Sequence, residues 1–342
     1  LTSGSENYVI GSLAGYSLTS GSKNVLMGKQ AGEDLTTEQQ NVLMGYRAGQ
    51  NATSNYNVAI GGQALQGSAS TALTGDHNVA IGYSTLYSVE GAAIGNIAMG
   101  RNALKDSTTG DYNIAIGYDS METLATGDNN IAIGREAGEE LTSGSERVII
   151  GYRALDNTTT GAGGTVAIGT NAIGAGVVTG NYQIALGYNA VKNNTSANYT
   201  VGIGYQAAAG VVSGHANIAI GANALSNKSS AAGGGEGTEN IAIGYAAMSS
   251  TGMTTANYNI AIGTNALDAI TTGDSTIAIG RYAATAITTG QKSIYIGERS
   301  GELATDANEN VYIGHQTGQD ATSSSNSFIG TEAGYDVHDG LS

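Results

Sequence analysis

Residues 130–155, NIAIGREAGEELTSGSERVIIGYRAL, contain two successive starts of one short repeat. An alternating apolar tripeptide precedes Gly134, and a second precedes Gly151, 17 residues later. Ten of the eighteen spacings between such glycines equal 17 residues, and the largest are 21 and 23. Self-similarity of this kind predicts one repeat array, a single domain over 1–342. The nineteen motif glycines are Gly11, Gly28, Gly45, Gly61, Gly82, Gly100, Gly117, Gly134, Gly151, Gly169, Gly187, Gly204, Gly221, Gly244, Gly263, Gly280, Gly297, Gly314 and Gly330.

Positions are numbered here from the motif glycine, negative before it and positive after it. Position −1 is Ile in fifteen copies, and position −3 is Val or Ile in seventeen. The two alternate with position −2, which is the period of a β-strand. Position +3 is Ala in fifteen copies, and a TSG or TTG turn often closes the unit. The pattern predicts an all-β chain, a parallel β-solenoid of about 19 coils of ~17 residues, each coil pairing with the next.

The composition excludes several classes of protein. The chain has 53 Gly but no Cys, so disulfides and thiolate metal sites are excluded, and it has no Pro, which suits a continuous ladder. The net charge of −15 argues against nucleic acid as a partner. No apolar run is long enough to cross a membrane, so membrane insertion is not expected. No catalytic constellation or cofactor motif emerges, so we expect neither an enzyme nor a bound cofactor.

Position −2 is small and uncharged in most copies. If Val and Ile fill the coil interior, the alternation places this column outside, either as a solvated alanine row or as a self-association face. We predict the second. Larger residues at position −2 lie mainly near the two ends of the sequence, at Val9, Leu26, Leu43, Tyr295, Tyr312 and Phe328, which suggests chains packed closest in the middle. The predicted interface residues are Ala59, Ala80, Ala98, Ala115, Ala132, Ala167, Ala185, Ala219, Ala242, Ala261 and Ala278.

These motifs resemble a known family. The pattern NxAIGxxA with a turn glycine, and segments such as NVLMGYRAG at 41–49, resemble the head repeats of trimeric autotransporter adhesins and the related arrays in bacteriophage tail-fibre shafts. The resemblance covers 7–334. It implies a left-handed parallel β-roll that forms a homotrimer, with the inner strands at the three-fold axis. The long unit favours the phage-fibre form.

The resemblance implies a structural role. We expect the shaft of an extracellular trimeric fibre, most like a phage tail fibre that holds a receptor-binding tip, with other fibre domains at both ends. The chain begins and stops within a coil and is expected to be a fragment of a longer protein. The alternative is a bacterial surface adhesin that binds host matrix or a cell-surface glycan or protein receptor directly.

Polar columns offer a few candidate sites. Asn stands at position −4 in thirteen copies, which predicts a stacked amide ladder, with a sugar-binding ladder as the alternative. The TGD turns carry Asp76, Asp111, Asp128 and Asp274, which we interpret as turn caps rather than cation ligands. The four His residues do not pair at metal-ligand spacing, although one could form a three-His site on a trimer axis.

Tyrosine is the residue with most potential for recognition. Exposed rings can stack on sugars, whereas rings in neighbouring coils can stack on one another. We favour the structural role and keep glycan contact as the alternative. Seven Tyr residues follow the motif glycine directly, at Tyr46, Tyr83, Tyr118, Tyr152, Tyr188, Tyr205 and Tyr245.

Overall fold

The computed structural model is all-β and describes residues 3–68, 72–156, 163–174, 179–226 and 237–335. It divides into two compact units, Leu1–Thr165 and Val166–Ser342, which are taken in turn. A single domain over 1–342 stays a prediction. The sequence also predicts loops that bulge from the coils at 66–75, 161–164 and 233–237, and each of these ranges falls partly outside the described residues.

The first unit stacks nine three-residue strands in parallel. They are β1 (Tyr8–Ile10), β2 (Val25–Met27), β3 (Val42–Met44), β4 (Val58–Ile60), β5 (Val79–Ile81), β6 (Ile97–Met99), β7 (Ile114–Ile116), β8 (Ile131–Ile133) and β9 (Val148–Ile150). Like residues pair with like: in β7 and β8, Ile114 lies beside Ile131 and Ala115 beside Ala132. Sequence columns therefore become physical rows.

The second unit stacks ten strands in the same way. They are β10 (Val166–Ile168), β11 (Ile184–Leu186), β12 (Val201–Ile203), β13 (Ile218–Ile220), β14 (Ile241–Ile243), β15 (Ile260–Ile262), β16 (Ile277–Ile279), β17 (Ile294–Ile296), β18 (Val311–Ile313) and β19 (Ser327–Ile329). Pairing is again parallel and in register, as for Ala261 beside Ala278. The predicted parallel β-solenoid of ~17-residue coils is confirmed in each unit. Its handedness stays a prediction.

Position −2 faces the coil interior, so the predicted facing of the strands is wrong. Ala115 and Ala132 are fully buried, whereas Ile116 and Ile133 at position −1 are 37% and 38% exposed. The coil is thin, and a methyl group at position −2 fills the space between the strand and the opposite wall, where Ala137 at position +3 is also fully buried. The same holds for every residue predicted as interface, namely Ala59, Ala80, Ala98, Ala115, Ala132, Ala167, Ala185, Ala219, Ala242, Ala261 and Ala278, all with no exposed area. They cannot contact a second chain.

Positions −2 and +4 of a coil share one interior space, so a large side chain at one position accompanies a small one at the other. Where position −2 is Ala, position +4 is usually a buried aliphatic residue, as for Ala261 with Leu267. In six of the seven coils where position −2 is large, position +4 is Gly, and a Cβ added at Gly301 would overlap the ring of Tyr295. The exception is the coil of Ile149, where position +4 is Leu155. Most of the large residues near the sequence ends therefore pack within their own coils and give no support to the interpretation that chains diverge there, which stays a prediction.

Three coils have a small residue at both positions, and in the coil at Ala132 the space is filled from the next coil. Position +4 there is Gly138, and a Cβ on Gly138 would come within 3.1 Å of Ile149 Cδ1 and 3.3 Å of Met121 Cγ. Ile149 is the large residue at position −2 of the following coil, and it is fully buried. The volume rule therefore operates across adjacent coils as well as within one.

The motif glycines allow successive coils to approach closely. Their φ angles lie between +121° and +145°, which L-residues rarely adopt. A Cβ on Gly117 would overlap the carbonyl oxygen of Gly134 in the next coil. The glycine at this position is thus required both by its backbone conformation and by the stacking distance.

Candidate functional site

The Asn column forms the predicted structural ladder. The backbone N–H of Asn113 donates to Asn96 Oδ1 at 2.9 Å, and that of Asn130 donates to Asn113 Oδ1 at 3.0 Å. The Asn113 Nδ2 donates to the Gly127 carbonyl at 2.7 Å. These side chains are fully buried. With both ends of each amide bonded inside the coil, the column has no surface to offer a sugar.

Arg147 interrupts this ladder in the first unit. It occupies position −4, its side chain is fully buried, and its Nη1 donates to the Ser143 carbonyl at 3.0 Å. Burial lowers the pKa of the Arg147 guanidinium to about 10. The coil therefore carries the desolvation cost of a cation where the preceding coil has the neutral amide of Asn130.

The TGD aspartates cap turns across coils, as predicted. Asp76 Oδ1 accepts from the Asn55 N–H at 2.7 Å, and Asp274 Oδ1 accepts from the Asn257 N–H at 2.7 Å. Asp111 and Asp128 accept from backbone N–H groups in the same way, at 2.8 and 2.9 Å. Each carboxylate thus accepts from one backbone N–H of the preceding coil at a turn, where the strand ladder supplies no acceptor.

The described histidines lie apart in different coils. His77 stacks on Tyr56 with ring centroids 5.0 Å apart, and His215 Nδ1 accepts from the Asn198 N–H at 3.0 Å. His338 lies outside the described residues. A three-His site on a trimer axis stays a prediction.

The exposed face of each sheet is an apolar ribbon. Positions −3 and −1 project outward in two rows, and strand register aligns Ile116 with Ile133 and Ile220 with Ile243. Ile at position −1 is more than a third exposed in several coils, at Ile60, Ile116, Ile133, Ile168 and Ile220. Neither position carries a charged residue in any of the nineteen copies. We call the two rows the Val/Ile ribbon.

The seven Tyr residues at position +1 are all exposed, but most have neighbours on their ring faces. Tyr188 and Tyr205 stack with centroids 5.5 Å apart and planes 7° from parallel. In the first unit, Arg101 and Arg135 lie on the Tyr118 ring, at 5.6 and 5.9 Å from its centroid. Such rings present mainly their edges to solvent, which weakens them as sugar platforms.

Tyr245 and Tyr83 differ from the other rings of this column, because no other described ring or guanidinium packs on either of them. Tyr245 is the more exposed of the two, at 58%. It lines a cleft of about 530 Å³ together with Asn265 and Asp268 of the next coil. Tyr245 is one of the candidate residues predicted from the sequence, whereas Asn265 and Asp268 are not. The usable signal was the 19-residue spacing from Gly244 to Gly263.

Three carboxylates converge in the first unit and were also missed. Oxygens of Asp119, Glu122 and Glu139 lie within 4.8 Å of one another. Two of them have partners: Lys105 Nζ donates to Glu122 at 2.8 Å, and Asn102 Nδ2 donates to Asp119 at 2.9 Å. The three come from two successive coils, so only the coil register brings them together.

The protonation equilibria around this group follow from burial and charge. Burial, and then the negative charges of Glu136, Asp119 and Glu122, raise the pKa of Glu139. The hydrogen bond from Arg153 Nε, at 2.5 Å, lowers the pKa of Glu136. Ionised Glu139 therefore lowers the free energy of unfolding at neutral pH, whereas ionised Glu136 raises it.

No protein-family model matches the chain, and no curated protein matches it. The described part of the chain contains no helix that could cross a lipid bilayer.

Proposed function

We propose that this chain is a structural segment of a homotrimeric extracellular fibre, most like the shaft of a phage tail fibre that holds a receptor-binding tip. The observation that carries the proposal is the Val/Ile ribbon. Because position −2 is used inside the coil, the ribbon is the face available for association. The predicted self-association is kept, and its surface moves from position −2 to positions −3 and −1.

The extent of the ribbon favours a partner over solvent. With side chains about a third exposed in two rows, each unit presents on the order of 1,000 Å² of apolar surface, above the few hundred Å² usual for a monomer. Solvated β faces normally carry Lys, Glu or Thr, and the ribbon has no charge along its length. Burial of this surface supplies the free energy of association.

A second copy of the same chain is the partner that matches the ribbon. Its apolar side chains recur once per coil, with the spacing of stacked strands, and only another solenoid of equal pitch presents the same period throughout. Three copies around one axis, left-handed coils and an extracellular setting rest on the resemblance to adhesin heads and phage-fibre arrays. Other fibre domains would then join both ends.

The mechanism of such a segment is mechanical. Within each unit, successive coils are tied together by parallel strand pairing, by the Asn113-type amide ladder and by the turn aspartates. Load applied to one coil is therefore shared by several backbone hydrogen bonds and a buried row of side chains. A surface adhesin that binds glycan directly is the second candidate, favoured by the cleft at Tyr245.

Mass in solution tests the association. Light scattering should give about three times the 34.3 kDa of one chain, near 103 kDa. A monomer at micromolar concentration would refute the proposal. Replacing Ile116 and Ile133 by Lys places two charges on the ribbon and should reduce the trimer fraction. The matched control replaces the exposed residues Thr109 and Thr126, in turns of the same two coils, by Lys. It should leave the mass in solution unchanged.

A further inference from the structure

The cleft beside Tyr245 lies on the outer corner of two successive coils in the second unit. The Asn265 N–H donates to the Tyr245 carbonyl at 3.0 Å, which sets Asn265 directly beside the tyrosine. Asp268 and the hydroxyl residues Ser249 and Thr251 complete the polar lining. At about 530 Å³ the cleft falls within the size range of small-molecule sites.

The cleft exists because a row of long side chains is interrupted. In several other coils, position +5 holds a long polar side chain that bonds along this ledge: Gln319 Nε2 donates to Glu302 at 2.7 Å, and Gln50 Nε2 donates to Glu33 at 2.7 Å. In the Gly244 coil position +5 is Ser249 and position +2 is Ala246, both short and buried. Space that Gln or Glu would fill stays open above Asn265 and Asp268.

The coil length adds to the opening. Gly244 and Gly263 are 19 residues apart, two more than the usual unit, and the extra residues fall in the stretch that includes Ser250 and Gly252. The Gly252 N–H donates to Ser250 Oγ at 3.2 Å, which fixes the turn as one wall of the cleft. The wall and the interrupted ledge together give a bounded polar recess beside an open aromatic ring.

We propose that this cleft binds a neutral pyranose sugar. The Tyr245 ring is free to stack on the apolar C–H face of a pyranose, since no described side chain covers it. The Asn265 side-chain amide makes no hydrogen bond to another described residue and offers one acceptor and two donor hydrogens. The Asp268 carboxylate accepts from hydroxyl donors. An amide and a carboxylate side by side match the alternating donors and acceptors of adjacent sugar hydroxyls.

The charge of the site selects among sugars. Asp268 is the only charged residue among the described residues that line the cleft, so uronic and sialic acids would meet a like charge there. The inference does not depend on association of chains, because every lining residue belongs to the second unit of one chain. It goes beyond the structural role proposed above.

Saturation-transfer NMR on the full chain tests the site. The probes are the methyl glycosides of glucose, galactose, mannose and N-acetylglucosamine, with methyl glucuronide as the anionic comparison. We expect transfer to the ring C–H protons of at least one neutral glycoside, with millimolar affinity, and at least tenfold weaker binding of the glucuronide. Tyr245→Ala and Asn265→Ala should each weaken binding at least tenfold, and Tyr245→Phe should retain the stacking.

The matched control is Tyr188→Ala, which removes another exposed ring of the same column, one whose face is already covered by Tyr205. It should leave binding unchanged. Absence of transfer to all four neutral glycosides, or undiminished binding by both folded alanine variants, would overturn the proposal. Light scattering on the same samples separates the two claims, because sugar binding by a monomer would refute only the fibre proposal, and a trimer without binding would refute only this site.

Discussion

The exchange of volume between positions −2 and +4 can be tested by swapping one pair. Tyr295 is fully buried and lies against Gly301, where any Cβ would overlap the ring. Ala261 and Leu267, two coils earlier, hold the reverse arrangement. The double variant Tyr295→Ala with Gly301→Leu would therefore copy into one coil a packing that the chain already uses in another.

The expected magnitudes follow from the buried side-chain volume that each change removes or adds. Tyr295→Ala alone should cost about 3–5 kcal/mol, as expected for removal of a buried aromatic side chain. Part of this is the edge-on interaction with Tyr312, whose centroid lies 5.3 Å away, worth about 1 kcal/mol. Gly301→Leu alone overpacks the coil and should cost about 3 kcal/mol. The backbone strain of a Leu at Gly301, where φ is +60°, should match the strain that Leu267 already carries at φ +56°.

The double variant should lose only about 2 kcal/mol, because the new Leu fills the space left by the ring and the remaining loss comes from Tyr312. Relative to the sum of the single changes, this is a coupling of about 4 kcal/mol or more. Such a coupling free energy is larger than substitutions on the surface produce. It would therefore show that the two side chains occupy the same interior space, and not that the coil tolerates either substitution.

Hydrogen exchange of the β17 amides in increasing denaturant is the suitable assay. A solenoid unfolds in local units, so a single global free energy of unfolding would hide a change confined to one coil. Additive losses in the double variant would refute the volume rule. As a control, Gly301→Leu combined with Tyr312→Ala should recover no stability, because the ring of Tyr312 faces Gly318 instead.

Two further predictions concern buried charge. Arg147→Asn should stabilise the coil around β9 by about 1–3 kcal/mol at pH 7, because it removes a cation whose pKa burial lowers to about 10 and restores an amide to the ladder. In exchange experiments the difference should shrink above pH 10, where the folded wild type loses its proton before the unfolded chain does. Glu139→Gln should raise the free energy of unfolding at pH 7 by less than about 1 kcal/mol, seen as a slightly higher melting temperature. The reason is that burial and neighbouring carboxylates raise the pKa of Glu139. The folded wild type takes up this proton more readily than the unfolded chain, so the gain should vanish as pH falls through the raised pKa towards 4.5; a pH-independent difference would contradict this cause.

Much of the fold was predictable from the columns. The alternation around the motif glycine predicted a strand in each copy, and all nineteen occur. The Asn column predicted the amide ladder, and Asp111 and Asp128 were correctly interpreted as caps. These features are local or repeat at a fixed spacing, so one copy of the unit already contains the information.

The site was less predictable. Asn265 and Asp268 became candidates only when the register of successive coils placed them beside Tyr245, above the short residues Ala246 and Ser249. The carboxylates of Glu122 and Glu139 lie 17 residues apart and meet for the same reason. Contacts between coils depend on which positions face outward and how far each side chain reaches, and neither is visible in a single column.

The sequence by itself determined the repeat, the strands, the turns and the ladder, because period, glycine placement and side-chain chemistry are properties of the chain. It separated the two faces of each strand, but the prediction of which face lies inside was wrong. Only the tertiary structure decided this: Ala132 is fully buried, whereas Ile133 is 38% exposed. The volume of the thin coil, rather than hydrophobicity alone, set what lies inside, because a large side chain at position −2 is held mainly where position +4 is Gly, as for Tyr295 with Gly301.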